Sequence, residues 1–96
     1  MDVKKYQINI SSEENDSLEY LYILSQGLNE LLNILMMKEN ISFEFLNKKL
    51  EEKKEILIQL EKEKRKIELK YLPAELINKK YNLFFDFSES TIEYIV

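Results

Sequence analysis

The period of apolar and polar positions changes along the chain, and each change predicts a different element. Residues 6–10, Tyr-Gln-Ile-Asn-Ile, alternate apolar and polar side chains, as a half-buried strand does. Ser11 and Glu14 follow at the spacing of a capping box, in which each side chain bonds the backbone N–H of the other residue. The sequence therefore predicts a strand that leads directly into a helix.

The first predicted helix, from about Glu13 to Met37, carries a wide apolar stripe. Its central seam alternates spacings of three and four residues and consists of Leu21, Leu24, Leu28, Leu31 and Leu35. More apolar side chains flank this seam on both sides, namely Leu18, Tyr22, Ile23, Leu32, Ile34 and Met36. Because a stripe wider than half the helix must be covered from two directions, we expect this helix to lie between a second helix and a sheet.

A second helix is predicted after a short connector, residues 38–41. Ser42 is a suitable N-cap, and the helical pattern then runs to about Leu72. The apolar stripe of this helix consists of Phe43, Leu46, Leu50, Leu57, Leu60, Ile67 and Tyr71. Since the connector is short, we expect the two helices to pack antiparallel as a hairpin.

The C-terminal part of the chain is aromatic and β-branched. Pro73 interrupts the helical pattern and fits the first position of a short helical turn over 73–77. Residues 83–87 and 91–96 then predict a β-hairpin, which the N-terminal strand would complete to three strands because a lone hairpin is marginally stable. The predicted fold is one α+β domain over residues 1–96, in the order β-α-α-β-β, with an antiparallel helical hairpin packed on a small antiparallel sheet.

The composition excludes most catalytic chemistry. The 96 residues include no Cys and no His, which removes thiolate and imidazole metal ligands and the most common nucleophiles and general bases. A single glycine cannot build a Gly-rich phosphate loop. Carboxylates are plentiful, but no pair is placed convincingly for acid–base work. We therefore expect a protein that is not an enzyme and that holds no cofactor and no metal.

The charge pattern bears on partners and location. The net charge is −4, and residues 48–70 carry nine Lys or Arg interleaved with six Glu. Such a helix is typically a solvated face, whereas phosphate binding needs a basic patch without counterions of its own, so we expect no nucleic acid. No run approaches the ~18 apolar residues of a membrane span, and the start lacks the apolar core of a signal peptide. We expect a cytoplasmic protein. The abundance of Ile, Lys and Asn, which have AT-rich codons, indicates an AT-rich bacterium, or a phage or plasmid that it carries.

Six residues are candidates for binding a partner protein. Lys53 and Lys64 project into the apolar stripe of the second helix, where they could meet an acidic partner or only cover apolar surface with their stems. The other four are the aromatic residues of the predicted sheet, Tyr6, Phe85, Phe87 and Tyr94. They could fill the core, or line a sheet edge that accepts an extended segment of a partner by strand addition.

Most of the chain resembles a family of small accessory proteins that occur beside radical-SAM peptide-modifying enzymes. The family includes the CXXX repeat peptide modification system proteins and the small partner subunits of peptide spliceases. The resemblance rests on the strand at 6–10 before an acidic helix start, on residues 26–32, on the long charged helix ending near Tyr71, and on residues 85–93. It implies a non-catalytic protein that binds a radical-SAM maturase, its precursor peptide, or both.

A different reading of the same leucines remains open. The chain could be a self-associating helical-hairpin protein of structural or regulatory kind, such as a small phage or plasmid protein without a maturase partner, with its seam leucines packed between copies. A homodimer is therefore an alternative to a complex with a maturase.

Overall fold

The computed structural model describes residues 3–38 and 40–96, so Glu39 of the predicted connector lies outside the described residues. The elements are β1 (Lys5–Asn9), α1 (Ser12–Met36), α2 (Phe43–Tyr71), a 3-10 turn (Ala74–Leu76), β2 (Asn82–Asp86) and β3 (Thr91–Ile95). The predicted α+β class and the order β-α-α-β-β are confirmed. Each helix and strand differs from its predicted bounds by about one residue, because the local signals for starting and stopping are strong.

Two compact units share the helices. The first unit contains residues 3–17 and Lys64–Val96, and the second contains Leu18–Glu63. The first therefore holds the sheet with the start of α1 and the end of α2, and the second holds the rest of both helices. The single domain over residues 1–96 stays a prediction.

The sheet of the first unit is antiparallel, with the strand order β1-β3-β2. Side chains alternate between the two faces of a strand, so residues paired across strands lie in one row on one face. One such row is centred on Ile92 and another on Tyr94, and both of these side chains are fully buried. The flanking residues of the two rows are Ile8 and Phe85, and Tyr6 and Leu83. These rows form the inner face of the sheet.

The helix ends of the first unit are joined to the sheet by polar contacts. Asn15 donates from Nδ2 to the Phe87 carbonyl at 2.9 Å, and the Tyr94 hydroxyl donates to the Glu68 carbonyl at 2.6 Å. Ile67, near the end of α2, is almost fully buried. The inner face of the sheet therefore packs on α1 and α2 within this unit.

The predicted leucine seam of α1 is wrong in its register. Leu24 is only half-buried and Leu31 is 36% exposed. The most buried positions of α1 within the second unit are instead Leu18, Leu21, Ser25 and Leu32, with Leu28 and Leu35 half-buried. These six residues, which we call the core seam, also alternate spacings of three and four. Ser25 is accommodated because its hydroxyl donates to the Tyr22 carbonyl at 2.8 Å.

The expected coverage of α1 from two directions is also wrong for the second unit. Tyr20, Ile23 and Ile34 are 63%, 57% and 54% exposed, so the other half of the apolar stripe is open. The stripe predicted for α2 is only partly buried as well, since Leu60 is buried but Phe43 is exposed. Apolar periodicity located the helices but did not decide which apolar positions face the core.

Candidate partner-binding surfaces

The outer face of the sheet carries an exposed aromatic ring at its β2 edge. Phe84 lies directly opposite Glu93 of the central strand, on the face away from Ile92 and Tyr94, and is 53% exposed. A cleft beside it, which we call the edge cleft, is lined by Phe84, Phe85, Asp86, Phe87, Glu93 and Ile95. Because β2 is the last strand in the sheet order, its outer backbone groups have no strand partner in the described part of the chain.

Two carboxylates give the edge cleft its charge. Asp86 Oδ1 accepts hydrogen bonds from the Ser88 hydroxyl at 2.7 Å and from the backbone N–H groups of Ser88 and Glu89, which keep the pKa of Asp86 below its usual value. Glu93 forms an ion pair with Lys5 at 3.2 Å. Asp86 pairs with Thr91, so the two carboxylates do not face each other across the strands. The cleft therefore combines an aromatic wall with the Asp86 carboxylate and the ion-paired carboxylate of Glu93.

The four sheet aromatics proposed as partner-binding residues fall in two environments. Tyr94 is fully buried and Tyr6 is half-buried beside it on the inner face, so both rings contribute to the core of the first unit. Phe85 and Phe87 are half-buried and both line the edge cleft. Phe85 also lies on the inner face, in the Ile92 row, so its ring contributes to the core as well; of the four, Phe85 and Phe87 are the two that line a surface cleft.

The buried tyrosine is part of a small aromatic and carboxylate cluster. Burial, with the nearby Tyr81 and Glu68, raises the pKa of Tyr94 far above its usual value. The Tyr81 ring meets Tyr94 edge to face at a centroid distance of 5.3 Å, and its hydroxyl donates to the Glu68 carboxylate. Burial and this bond also raise the pKa of Tyr81. Both phenols stay protonated near neutral pH, so the cluster is suited to packing and not to proton transfer.

Lys53 and Lys64 are engaged within the chain. Lys53 is half-buried, and its Nζ donates to Asn29 Oδ1 at 2.8 Å, which joins α2 to α1 in the second unit. Lys64 belongs to the first unit, is half-buried and also has an interaction partner. For Lys53 the geometry favours a structural role, because a lysine that bridges two helices must break that contact before it binds a partner.

A hydrogen-bond and ion-pair network around Glu14 joins the two helices in the first unit. The backbone N–H of Ser11 donates to Glu14 Oε1 and the backbone N–H of Glu14 donates to Ser11 Oγ, both at 3.1 Å, which confirms the predicted capping box. Glu14 also accepts hydrogen bonds from the Tyr71 hydroxyl and from Lys70 Nζ, the latter at 3.0 Å. Partial burial alone would raise the pKa of Glu14, but the bonds from Tyr71, Lys70 and Ser11 prevail and lower it to about 2.

The second unit has a shallow polar groove between its helices. Its lining consists of Ser25, Gln26, Asn29, Glu30 and Leu57, and its volume is about 350 Å³. No group of three or more Asp and Glu side chains in residues 3–38 and 40–96 is placed to hold a metal ion. Over the same residues, neither helix is both long enough and apolar enough to cross a membrane. Leu57 is the one apolar residue in this lining, whereas ligand sites are usually lined mainly by apolar side chains with a few polar groups.

No protein-family model, curated protein or solved structure matches this chain. Its surfaces therefore have to be interpreted from their own chemistry.

The most exposed residue of the edge cleft, Phe84, was not among the six candidates. The run Leu83-Phe84-Phe85 is apolar at three successive positions, so alternation could not indicate which ring faces outward.

Proposed function

We propose that this protein is a non-catalytic accessory protein that binds a radical-SAM peptide-modifying enzyme, its precursor peptide, or both. The edge cleft takes an extended segment of the precursor or the enzyme by strand addition to β2. Main-chain hydrogen bonds to the β2 edge supply affinity, and the side chains of the cleft supply selectivity.

The observation that carries this proposal is the exposure of Phe84 at an edge strand. Edge strands of soluble proteins usually carry charged residues or other features that prevent pairing with a second chain. Here an aromatic ring stands next to the unpaired edge, with the carboxylates of Asp86 and Glu93 on the same face of the sheet. An extended segment that alternates apolar and basic side chains complements this arrangement.

The first experiment is to co-express the protein with the radical-SAM enzyme and the precursor peptide encoded beside its gene. We expect a stable complex on size-exclusion chromatography with light scattering. Fluorescence anisotropy of a labelled precursor peptide then measures its affinity for the accessory protein. The absence of such neighbouring genes, or of any complex, would contradict the proposal.

A set of surface variants tests where the segment binds. Phe84→Lys replaces the exposed ring by a charge at the edge, and we expect it to weaken binding about tenfold or more, because burying a Phe side chain contributes roughly 1.5–3 kcal/mol. Ile77→Lys is the matched control, since Ile77 is 57% exposed in the same unit but lies outside the sheet. If Gln7→Lys on β1 weakens binding instead, the segment adds to the opposite edge of the sheet.

A further inference from the structure

The second unit exposes a regular apolar row along α1. We call it the outer seam, and it consists of Tyr20, Leu24, Gly27, Leu31 and Ile34. Its spacings alternate between four and three residues, which is the repeat that faces one partner helix in a coiled coil. Leu24 is half-buried and the other four residues are exposed. The outer seam contains no charged residue, unlike a face that is built to contact water.

Gly27 is the unusual member of the outer seam. Glycine in the interior of a helix destabilises it, so its presence calls for a structural reason. No reason exists within the described part of the chain, because a Cβ added to Gly27 would meet no atom within 4 Å. The benefit of a glycine on a helix surface is that another backbone can approach closely at that point.

The outer seam is nearly symmetric about this glycine. Tyr20 and Ile34 lie seven residues before and after Gly27, and Leu24 and Leu31 lie three before and four after. A two-fold interface requires such a self-complementary surface, since the same patch on both copies must fit itself. We propose that a second copy of this chain packs on the outer seam, with α1 against α1 and the two-fold axis at Gly27.

Charge decides the direction of the two helices. The start of α1 is acidic, with Glu13 and Glu14 in its first turn, and the last turn of α1 carries no basic residue. A parallel pair would bring two acidic helix starts and two like helix ends together, whereas an antiparallel pair separates the acidic starts and opposes the two helix dipoles. Glu30, near the outer seam in sequence, lines the polar groove and can remain hydrated. The dimer is therefore antiparallel.

The size of the outer seam sets the strength of this association. Tyr20, Leu31 and Ile34 are 63%, 36% and 54% exposed, so each copy would bury on the order of 300–400 Å², well below the ~800 Å² per partner of a standard stable interface. We therefore expect a reversible, concentration-dependent dimer and not an obligate one.

Sedimentation equilibrium of the full chain over a range of about 5 to 500 μM tests the dimer. The mass of the natural chain should rise from 11.6 kDa towards twice that value. Gly27→Lys should keep the mass at the monomer value, with the dissociation constant raised at least ~10-fold, because it places bulk and like charge on the two-fold axis. Ile58→Lys is the control, since Ile58 is 48% exposed on α2 of the same unit, and it should dimerise as the natural chain does. A monomer at every concentration, or equal loss in both variants, would overturn the proposal.

Cysteine cross-linking provides a second test that is independent of Gly27→Lys. The chain has no cysteine of its own, so Gly27→Cys introduces a single thiol at the two-fold axis. Mild oxidation should convert this variant to a disulfide dimer much faster than Ile58→Cys. For direction, a mixture of Tyr20→Cys and Ile34→Cys should give mainly the mixed disulfide. Predominant homodisulfides would show a parallel pair, and rates equal to that of Ile58→Cys would refute the interface.

This dimer does not depend on the proposed function. The variants at residues 20, 27 and 34 lie on α1 of the second unit, and the peptide-binding variant Phe84→Lys lies in the first. Loss of self-association with intact peptide binding, or the reverse, therefore separates failure of one proposal from failure of the other.

Discussion

Glu14 offers the sharpest test of the electrostatics, because one carboxylate caps α1 and accepts bonds from the end of α2. Glu14→Gln removes its charge but retains a side chain that suits a capping box and can still accept a hydrogen bond from Tyr71. The variant therefore isolates what the ionised form contributes. Its matched control is Glu13→Gln, which removes an exposed charge from the same helical turn.

The size of the destabilisation expected for Glu14→Gln follows from the pKa of Glu14. The pKa of Glu14 falls from 4.5 to about 2 on folding, and each unit corresponds to ~1.4 kcal/mol, which gives an upper value of ~3 kcal/mol. The ion pair within this network is weakened by solvent, since the side chain of Lys70 is 57% exposed. We therefore expect Glu14→Gln to lower the free energy of unfolding by about 2 kcal/mol near neutral pH. That is a large part of the ~5–15 kcal/mol typical of small domains.

The stabilisation that Glu14 contributes should depend on pH in one direction. Because folding lowers the pKa of Glu14, the unfolded chain binds this proton first, and the stabilisation is fully present only above the unfolded pKa of 4.5. It is lost as the pH falls from 4.5 towards 2. The assay is urea unfolding followed by far-UV circular dichroism, repeated across this pH range. The difference in the free energy of unfolding between the natural chain and Glu14→Gln should shrink as the pH falls.

The other carboxylates titrate alike in the natural chain and in Glu14→Gln, so their effect cancels in the difference between the two free energies of unfolding. A difference below about 0.5 kcal/mol near neutral pH would mean that the hydrogen bonds and ion pair of Glu14 contribute no more than a surface ion pair. A difference that stays constant from neutral pH to pH ~2 would show that the cost of Glu14→Gln does not come from the charge. An equal, pH-dependent loss in Glu13→Gln would assign the effect to the helix dipole in general.

Two further stability measurements check the packing. Leu32→Ala should cost ~2–5 kcal/mol in urea unfolding because Leu32 is 3% exposed, whereas Leu31→Ala, at 36% exposure, should cost less than about 1 kcal/mol; equal costs would contradict the observed register of α1. Tyr94→Phe should lower the free energy of unfolding by ~1 kcal/mol, since it removes only the hydrogen bond to the Glu68 carbonyl; no change in thermal denaturation would show that this bond adds nothing net.

The elements that could be predicted from the sequence are those determined by local interactions. The alternation at residues 6–10 and the Ser11–Glu14 spacing are complete within a few residues, so strand, cap and helix start could be predicted. The contacts of Glu14 with Tyr71 and of Tyr94 with Glu68 could not, because they join residues 57 and 26 positions apart. Such pairs depend on how the helix ends meet the sheet, which no short pattern encodes.

The register of α1 was predicted wrongly for a different reason. The predicted seam and the core seam share Leu21, Leu28 and Leu35, and both alternate spacings of three and four. They differ in whether Leu24 and Leu31 or Ser25 and Leu32 complete the row. Hydrophobicity favours the first choice, and the chain adopts the second. Periodicity could not decide between them, since both seams are consistent with a helix that has one apolar face.

Which face of α1 is buried also bears on assembly. The core seam of the second unit contains a serine, and the facing helix contributes Lys53, which is bonded to Asn29. A second apolar row, the outer seam with Leu31 and Ile34, is left open to solvent although the core seam already supplies five leucines to the interior. Burial of this exposed row by a second copy would gain hydrophobic free energy that one copy alone does not obtain. Gly27, with open space before it, then marks the point where the two copies approach most closely.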